Sequence, residues 1–330
     1  MTPTALLLTR RDVAALLSLD ECITAVERAF LLHSEGRALG PGVLGVPVRG
    51  GGFHIKAAGL PLGRAYFAAK TNANFSDNPA RFGLPAIQGV IVLADAENGT
   101  MLAVMDSIEI TLLRTGAATA VAAKYLARRD SRIATVCGCG NQGRVQLRAL
   151  ARVLPLDAAY AVDHEPARAE QFAAELGPAL ALDIRPAPDL ATAARSSDVI
   201  VTCTPSRKPI LDRAAVRAGT FVAAVGADSE DKRELDPTLL AENAVVVDVL
   251  EQCATIGELH HALVAGCVTR ADVRAELGDV VAGRRPGRTS NEEITIFDST
   301  GTALQDVAAA ALAYEKAVGL GCGLAVRLGE

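Results

Sequence analysis

Three charged side chains stand in apolar surroundings, where each has one structural and one chemical explanation. Lys70 ends the strand-like run AYFAAK, and Arg114 lies on a mostly apolar helix beside Leu113. In such places a lysine either reaches solvent along its stem or points into a cleft. An arginine is either a solvent-facing charge or a two-pronged anchor for a carboxylate. Asp228 follows the apolar run TFVAAVG, so it either caps a helix or meets a ligand at a sheet edge.

A second candidate site is the glycine-rich segment 138–143, which reads GCGNQG and fits the pattern GxGxxG. It follows the apolar run 133–137 and precedes a helix-like stretch over 144–154, and Asp163 ends the next apolar run. This context predicts a dinucleotide site, because the glycines permit a tight turn, close approach to a pyrophosphate and helix packing. The helix N-terminus adds oriented N–H groups. The predicted contacts here are Gly138, Gly140, Asn141, Gln142 and Gly143.

The choice of dinucleotide depends on the residues after the second strand. Asp163 can accept hydrogen bonds from ribose hydroxyls and repels a 2′-phosphate, so it favours NAD(H) over NADP(H). His164 and Arg168 are close enough in sequence to attract that phosphate, although their interpretation as solvated loop and helix residues is the favoured one. Use of both cofactors therefore stays open. Further cofactor contacts are expected at two later strand ends, where ordinary turns are the alternative: Cys203, Thr204, Pro205, Val225 and Gly226.

The elements that must position these residues follow two different sequence patterns. From residue 131 onward, the apolar runs IATVCG, AAYAVD, DVIVTCT, TFVAAVG and AVVVDV alternate with helix-length segments. Such runs predict buried parallel strands and an α/β, Rossmann-type doubly wound sheet over 116–299. Before it, Ser18 and Glu21 form a capping-box pattern that predicts a helix over 19–35. Residues 40–94 predict a meander or mixed sheet, and 108–129 a long helix.

The end of the chain predicts an alanine-rich helix after Asp298 that folds back onto the N-terminal half. We therefore expect a second, α+β domain built from residues 1–115 and 300–330, beside the dinucleotide-binding domain of residues 116–299. A chain of 330 residues has room for two such cores.

Composition narrows the class of partner. The net charge is −5 with both signs interspersed, which argues against nucleic acid and anionic membranes and for a small molecule. The seven cysteines are scattered and odd in number, which favours reduced thiols in the cytoplasm over a disulfide framework or a metal site. The N-terminal segment lacks the order of charges and apolar residues of a signal peptide. No stretch of eighteen apolar residues predicts a membrane span.

Taken together, these segments resemble the ornithine cyclodeaminase/μ-crystallin family over almost the whole chain. The resemblance rests on the Lys70 segment, LLRTGAATA around Arg114, GCGNQG, VGADxxxKREL at Asp228, and IFDSTGTALQD from Ile296 to Asp306. It implies a homodimer in which the split domain binds substrate and forms the dimer. It also implies that Lys70 and Arg114 hold the carboxylate of an amino acid or imine, while Asp228 faces the nitrogen.

The sequence departs from the cyclodeaminases that it resembles. They carry an arginine before the first strand and a glutamate in the next, where this chain has Gly42 or Val43 and His54. Without an acid for the distal ammonium of ornithine, we expect a ketimine reductase that acts on Δ1-pyrroline-2-carboxylate or its six-membered homologue. Lys56 then replaces the missing arginine charge, and His54 either donates a proton or is structural.

Three alternatives stay open at this point. The chain could be an ornithine or lysine cyclodeaminase that uses bound NAD+ catalytically, or an alanine dehydrogenase. It could also be a crystallin-like protein that binds the cofactor without chemistry.

Overall fold

The computed structural model describes residues 4–329, which form two compact units. The split unit contains the residues up to Arg114 and those from Thr302 on, and the central unit runs from Thr115 to Gly301. The boundary falls within a helix that the sequence predicted over 108–129 and that the structure has over Ile108–Leu126. The elements up to this helix are β1 (Ala5–Leu8), α1 (Arg10–Leu16), α2 (Leu19–Ser34), β2 (Leu39–Val48), β3 (Gly51–Pro61), β4 (Ala65–Asn74), α3 (Asn78–Phe82), β5 (Ile87–Asp95), β6 (Met101–Asp106) and α4 (Ile108–Leu126).

The predicted capping box at the start of α2 is confirmed. The Ser18 side chain accepts from the backbone of Glu21, and the Glu21 side chain accepts from the backbone of Ser18. The apolar face that follows, with Ile23, Val26 and Phe30, is buried. This fixes α2 as one of the helices that pack in the split unit.

The split unit is built on a seven-stranded sheet. Strands β2 to β6 form the predicted meander of antiparallel neighbours, and β1 joins parallel to β6. The chain returns after the central unit to complete it, and α12 packs against α2, β3 and β4. The predicted return of the C-terminal helix to the N-terminal half is therefore confirmed. The returning elements are α12 (Ala303–Leu320) and β17 (Leu324–Val326).

The central unit is a parallel sheet of eight strands in the order β15-β14-β16-β12-β10-β7-β8-β9. The order reverses between β7 and β10, which is where doubly wound sheets bind ligands. Its elements are β7 (Ile133–Cys137), α5 (Asn141–Val153), β8 (Ala158–Val162), α6 (Pro166–Leu180), β9 (Asp183–Pro186), α7 (Leu190–Arg195), β10 (Val199–Thr202), β11 (Arg207–Leu211), β12 (Phe221–Ala224), β13 (Arg233–Leu235), α8 (Pro237–Ala241), β14 (Ala244–Val247), α9 (Leu250–Ile256), α10 (Glu258–Val264), β15 (Ala275–Glu276), α11 (Leu277–Val281) and β16 (Thr295–Asp298).

The five predicted parallel strands are β7, β8, β10, β12 and β14, and the Rossmann-type fold is confirmed. The structure adds to this sheet the strand β16, which the sequence did not predict. The four residues of β16 lie fully buried between β12 and β14. A four-residue strand directly after the polar stretch 284–293 carries too little periodicity to be recognised.

Among residues 4–329, no helix has the length and apolar character needed to cross a bilayer.

Candidate functional site

The glycine turn joins β7 to α5, with Gly140 at the helix N-cap position. Gly138 has φ +103°, which only glycine adopts without strain. A Cβ on Gly143 would overlap the carbonyl oxygen of Gly138, whereas a Cβ on Gly140 would meet no atom within 4 Å. The first glycine thus makes the turn and the third packs helix on strand. The second leaves the backbone open to a ligand.

Asp163 supports this turn from the end of β8. Its Oδ2 accepts a hydrogen bond from the N–H of Cys139 at 2.8 Å, and its Oδ1 accepts from the N–H of Glu165 at 3.0 Å. The side chain is only 6% exposed. A carboxylate has about four acceptor positions, and the Nδ1 of His164 also lies 3.0 Å from Oδ1, so acceptor capacity remains for a ribose hydroxyl. Arg168 is exposed on α6 and pairs with Glu165 at 2.9 Å, and the exposed His164 lies beside Asp163.

The other predicted cofactor contacts lie at the ends of the two strands on the far side of β7. Cys203, Thr204 and Pro205 follow β10, and Val225 and Gly226 follow β12. With the turn after β7 and Asp163 after β8, they occupy the carboxyl ends of four neighbouring parallel strands. This is the edge where dinucleotides bind in doubly wound sheets.

A dinucleotide suits this edge on a further observation. The buried Nε2 of Gln142, in the first turn of α5, has no hydrogen-bond partner in the described chain. A buried donor without a partner is uncommon in a folded protein and indicates a missing acceptor. It lies in the same segment as the open face of Gly140 and the N-terminus of a thirteen-residue helix, which favours an anion. The residues present therefore fit a pyrophosphate group.

The split unit holds a second cluster of functional side chains, which we call the cation cluster: Lys56, Lys70, Arg114 and Asp306. Lys56 and Lys70 lie directly opposite each other on β3 and β4. The Nζ of Lys70 is 2.7 Å from the Asp306 carboxylate, and the Nε of Arg114 is 3.1 Å from Asp306 Oδ1. Lys70, Arg114 and Asp306 are 3%, 5% and 1% exposed. Both charges left open by the sequence, Lys70 and Arg114, therefore point inward rather than to solvent.

Neighbouring side chains orient the members of the cation cluster. Arg114 Nη1 donates to Gln305 Oε1 at 2.7 Å, and the Oγ1 of Thr111 lies 3.5 Å from Lys70 Nζ. Gln305 and Asp306 both come from the first turns of α12, and Thr302 caps that helix. The first turn of the helix thus supplies the only carboxylate of the four-residue cluster.

The electrostatics of the cation cluster favour an additional anion. Burial and the neighbouring Arg114 guanidinium lower the pKa of Lys70 to about 7, although Asp306 opposes this change. Burial alone would raise the pKa of Asp306, but Lys70 and Arg114 hold that pKa below its usual range. Lys70 and Arg114 both contact the Asp306 carboxylate, and Lys56 on the neighbouring strand adds a third positive charge, so a second carboxylate would relieve their mutual repulsion. A guanidinium fork beside an ammonium is a suitable receptor for it.

His54 is half-buried on the same face of β3 as Lys56, and its cross-strand neighbour is Asn72. Asn72 is itself buried and accepts a hydrogen bond from Ser107 at 2.6 Å. The structure thus places His54 two residues along the strand from the cation cluster. Its role as a proton donor stays a prediction.

Asp228 lies in the turn after β12 in the central unit. Its Oδ1 accepts from Lys232 Nζ at 2.6 Å, and its side chain is partly exposed. The alternative that Asp228 caps a helix is wrong, because the next helix, α8, begins at Pro237 and is capped by Asp236. Asp228 is therefore a partly solvated carboxylate at the ligand-binding edge of the parallel sheet.

Sequence reasoning missed two carboxylates that the structure places at these sites. Asp306 was part of a recognised motif, yet its pairing with Lys70 was not foreseen. Its signal was an acid in the otherwise apolar run LQDVAAAALA. Glu234 is fully buried on β13 and its carboxylate holds the Thr204 loop at 2.6 Å. Nothing in the alternating pattern of KREL distinguished it from a solvent-facing glutamate.

Comparison with known proteins gives a consistent picture. Residues 4–321 match the ornithine cyclodeaminase/mu-crystallin family. Alanine dehydrogenase of Archaeoglobus fulgidus is 40% identical over 323 residues, which cover 98% of each chain. The structure of an archaeal alanine dehydrogenase dimer with bound NAD is 40% identical, covers 99% of this chain and all of that one, and superposes with a TM-score of 0.94. Thermococcus litoralis Δ1-pyrroline-2-carboxylate reductase, solved with NADH and L-proline, is 36% identical with a TM-score of 0.93, covering 97% and 100%.

Proposed function

This chain belongs to the ornithine cyclodeaminase/mu-crystallin family, and we propose that it is an NAD(P)H-dependent reductase of small cyclic ketimine carboxylates. Its substrate is Δ1-pyrroline-2-carboxylate or Δ1-piperideine-2-carboxylate, and its product is L-proline or L-pipecolate. The observation that carries this proposal is the cation cluster, in which Lys56, Lys70 and Arg114 surround one carboxylate. Such a receptor suits a small anion that brings no second ammonium group.

Each functional side chain has a role that its chemistry supports. Arg114 and Lys70 bind the substrate carboxylate, and Lys56 adds a third positive charge. Asp228 stabilises the positive charge on the protonated imine nitrogen, and Lys232 holds its carboxylate in place. His54 is the candidate proton donor. The nicotinamide, when bound, supplies the hydride.

NAD(H) is the favoured cofactor. The Asp163 carboxylate is fixed by two backbone N–H groups beside the glycine turn, so its negative charge is held where a 2′-phosphate would approach. The guanidinium of Arg168 and the ring of His164 are both engaged with acidic neighbours. They therefore contribute little net positive charge toward such a phosphate.

The cyclodeaminase alternative is disfavoured by the same cluster. A diamino acid would bring a distal ammonium toward a cluster in which Lys70 and Arg114 already compete for the Asp306 carboxylate. Alanine dehydrogenase is the second candidate, because a dehydrogenase with that activity is 40% identical over nearly the full length. Both reactions pass through an anionic imine, so the substrate has to be found by assay.

The deciding experiment measures oxidation of NADH and NADPH with Δ1-pyrroline-2-carboxylate, Δ1-piperideine-2-carboxylate, or pyruvate with ammonia. We expect turnover with a cyclic ketimine. Turnover with pyruvate and ammonia, but with neither cyclic ketimine, would establish an alanine dehydrogenase instead. Conversion of ornithine to proline without net consumption of cofactor would overturn the proposal in favour of a cyclodeaminase. A crystallin-like binder would bind NADH yet turn over none of these compounds.

We propose a homodimer formed through the open face of the split-unit sheet. On the face opposite Lys70, seven large apolar side chains from β2 to β5 are exposed: Leu39, Leu44, Val46, Val48, Phe53, Phe67 and Val90. A continuous apolar face of this kind marks a protein interface, and a self-complementary one forms two-fold dimers. Phe67→Glu is expected to give a monomer in analytical ultracentrifugation. Phe82→Glu, at a phenylalanine on α3 that is 62% exposed against 38% for Phe67, is the control and should leave the dimer intact.

The seven cysteines are all unpaired in the structure, which supports the proposed location in the reducing cytoplasm.

A further inference from the structure

Glu234 is a buried carboxylate that joins two loops at the ligand-binding edge of the parallel sheet. It lies on the short strand β13 and is 0% exposed. Its Oε1 accepts from the N–H of Thr204 at 2.6 Å and from the Thr204 hydroxyl at 2.7 Å. Its Oε2 accepts from the N–H of Gly226 at 2.8 Å. One side chain thus fixes the residues that directly follow β10 and β12.

These loops are also packed without spare room. A Cβ on Gly226 would lie 2.5 Å from the Cδ of Glu234 and would overlap the carbonyl of Thr204. A Cβ on Gly138 would lie 2.7 Å from the carbonyl oxygen of Cys203. The glycine turn after β7, the loop after β10 and the loop after β12 are therefore interlocked, with Glu234 at one end of the contact chain.

Glu234 is itself held by two further buried acids. The carboxylate of Glu258 accepts from the N–H groups of Glu234 at 2.7 Å and Leu235 at 3.1 Å. The carboxylate of Asp298 accepts from the N–H groups of Glu258 at 3.1 Å and Leu259 at 2.9 Å. Each carboxylate thus accepts hydrogen bonds from the backbone at the next acid in the series. This series runs from the end of β16 to the loops after β10 and β12.

A series of buried acids is unfavourable for folding, so stability alone does not explain it. Burial raises the pKa of Glu234 and of Glu258, and no Lys or Arg pairs with either among residues 4–329. Ionised carboxylates gripping N–H donors make strong, directional bonds, whereas a buried charge without a cation is otherwise disfavoured. The hydrogen bonds hold the loops rigid, and a cofactor site requires loops whose positions are fixed.

We propose that Glu234 is a positioning residue for the dinucleotide, acting through Thr204 and Gly226 rather than by touching the cofactor. The inference rests on the proposed function, since it assumes that the edge binds NAD(H). It assigns to the KREL segment a role separate from that of Asp228.

The test is Glu234→Gln, which keeps the size of the side chain but replaces one acceptor oxygen by an NH2 donor. That donor must face either the Thr204 or the Gly226 N–H group, so one loop loses its anchor. Because a hydrogen bond to a charged group is worth about 1.5–3 kcal/mol, we expect the Kd for NADH to rise about ten- to hundred-fold. The cofactor KM should rise similarly, while kcat at saturating cofactor changes less. Thr204→Val keeps the Thr204 N–H bond to Glu234 but removes the hydroxyl, which donates to Glu234 at 2.7 Å and accepts from the N–H of Ser206 at 3.2 Å; it should give a smaller rise.

The matched control is Asp198→Asn. Asp198 is also a buried carboxylate of the central unit that accepts two backbone N–H bonds, from Arg132 at 2.7 Å and Ile133 at 3.0 Å. Unlike Glu234, it also pairs with Arg128, at 2.6 Å, and with Arg217. It lies at the amino ends of β7 and β10, away from the ligand-binding edge. The Asp198→Asn variant should have a lower thermal midpoint but an unchanged Kd for NADH, measured by the fluorescence of bound NADH.

Three outcomes decide between the possibilities. An unchanged Kd in both Glu234→Gln and Thr204→Val overturns the inference, even if Glu234→Gln is less stable. An equal weakening in Asp198→Asn also overturns it, because general softening of the unit then explains the effect. Wild-type protein that binds neither NADH nor NADPH refutes the proposed function itself.

Discussion

The protonation of Lys70 makes carboxylate binding depend on pH in a direction that the structure specifies. Burial and Arg114 lower the pKa of Lys70 to about 7. An opposite charge favours the charged form of a group, so a bound carboxylate raises that pKa again. Above pH 7 the free protein has largely neutral Lys70, and binding must therefore take up a proton. Affinity for a carboxylate is predicted to fall as the pH rises.

The size of the effect follows from the same pKa. A ligand that binds the protonated form weakens about tenfold for each pH unit above the pKa of the free protein, or about 1.4 kcal/mol. Between pH 6 and pH 9 the Kd is expected to rise on the order of fifty- to hundred-fold. The attraction available between unit charges about 4 Å apart near a protein surface is about 4 kcal/mol, which is enough to sustain this change.

Pyruvate with NAD+ is a suitable probe, because its carboxylate stays ionised over this range and no hydride is available to reduce it. Isothermal titration calorimetry in buffers of different ionisation enthalpy gives both the Kd and the number of protons taken up. We expect uptake approaching one proton at pH 9 and little at pH 6. Lys70→Met should bind weakly at every pH, with a flat profile.

Two results would refute this reasoning. Affinity of the wild-type protein that is constant from pH 6 to pH 9 would mean that Lys70 does not titrate in that range or does not contact the carboxylate. The same pH dependence in Lys70→Met would assign the proton to another group.

Four further substitutions test other parts of the structure. Asp306→Asn leaves the buried cations without their carboxylate and should lower the free energy of unfolding by about 3–5 kcal/mol. Urea denaturation followed by circular dichroism measures this change. A decrease below about 1 kcal/mol would contradict the ion pairs described above. Gly143→Ala should lower the thermal midpoint, because its Cβ would overlap the preceding turn. Gly140→Ala should keep the wild-type thermal midpoint but lose dinucleotide affinity, because its Cβ meets no protein atom. Equal thermal midpoints for the two variants would refute this. Asp163→Ser should raise the ratio of kcat/KM for NADPH to that for NADH, and an unchanged ratio would remove Asp163 from cofactor selection.

The dinucleotide site was largely predictable from the sequence, because its requirements are local. Gly138 must adopt a positive φ and Gly143 must lack a side chain, and both demands appear in one hexapeptide. The strand before it, the helix after it and the acid at the next strand end are separated by short, regular spacings. The local pattern therefore carries the geometry of the turn.

The carboxylates that support the two sites could not be predicted in the same way. Lys70 and Asp306 form an ion pair across 236 positions of sequence, which no periodicity connects. Glu234 and Thr204 are 30 positions apart and meet only because β13 packs beside the loop after β10. A buried acid and an exposed one look alike until the topology assigns them a neighbour. For the same reason β16, a four-residue strand, became visible only from its place between β12 and β14.

Asp306 also explains how the split unit can keep a receptor for an anion in its interior. Without it, three buried cations would repel one another and drive the lysines to lose their protons. With one carboxylate, the cluster is stable enough to fold but retains more positive than negative charge. A substrate carboxylate would complete the neutralisation and restore the proton to Lys70. Folding and ligand binding thus draw on the same electrostatic interaction, so substitutions at Asp306 should change stability and carboxylate affinity together.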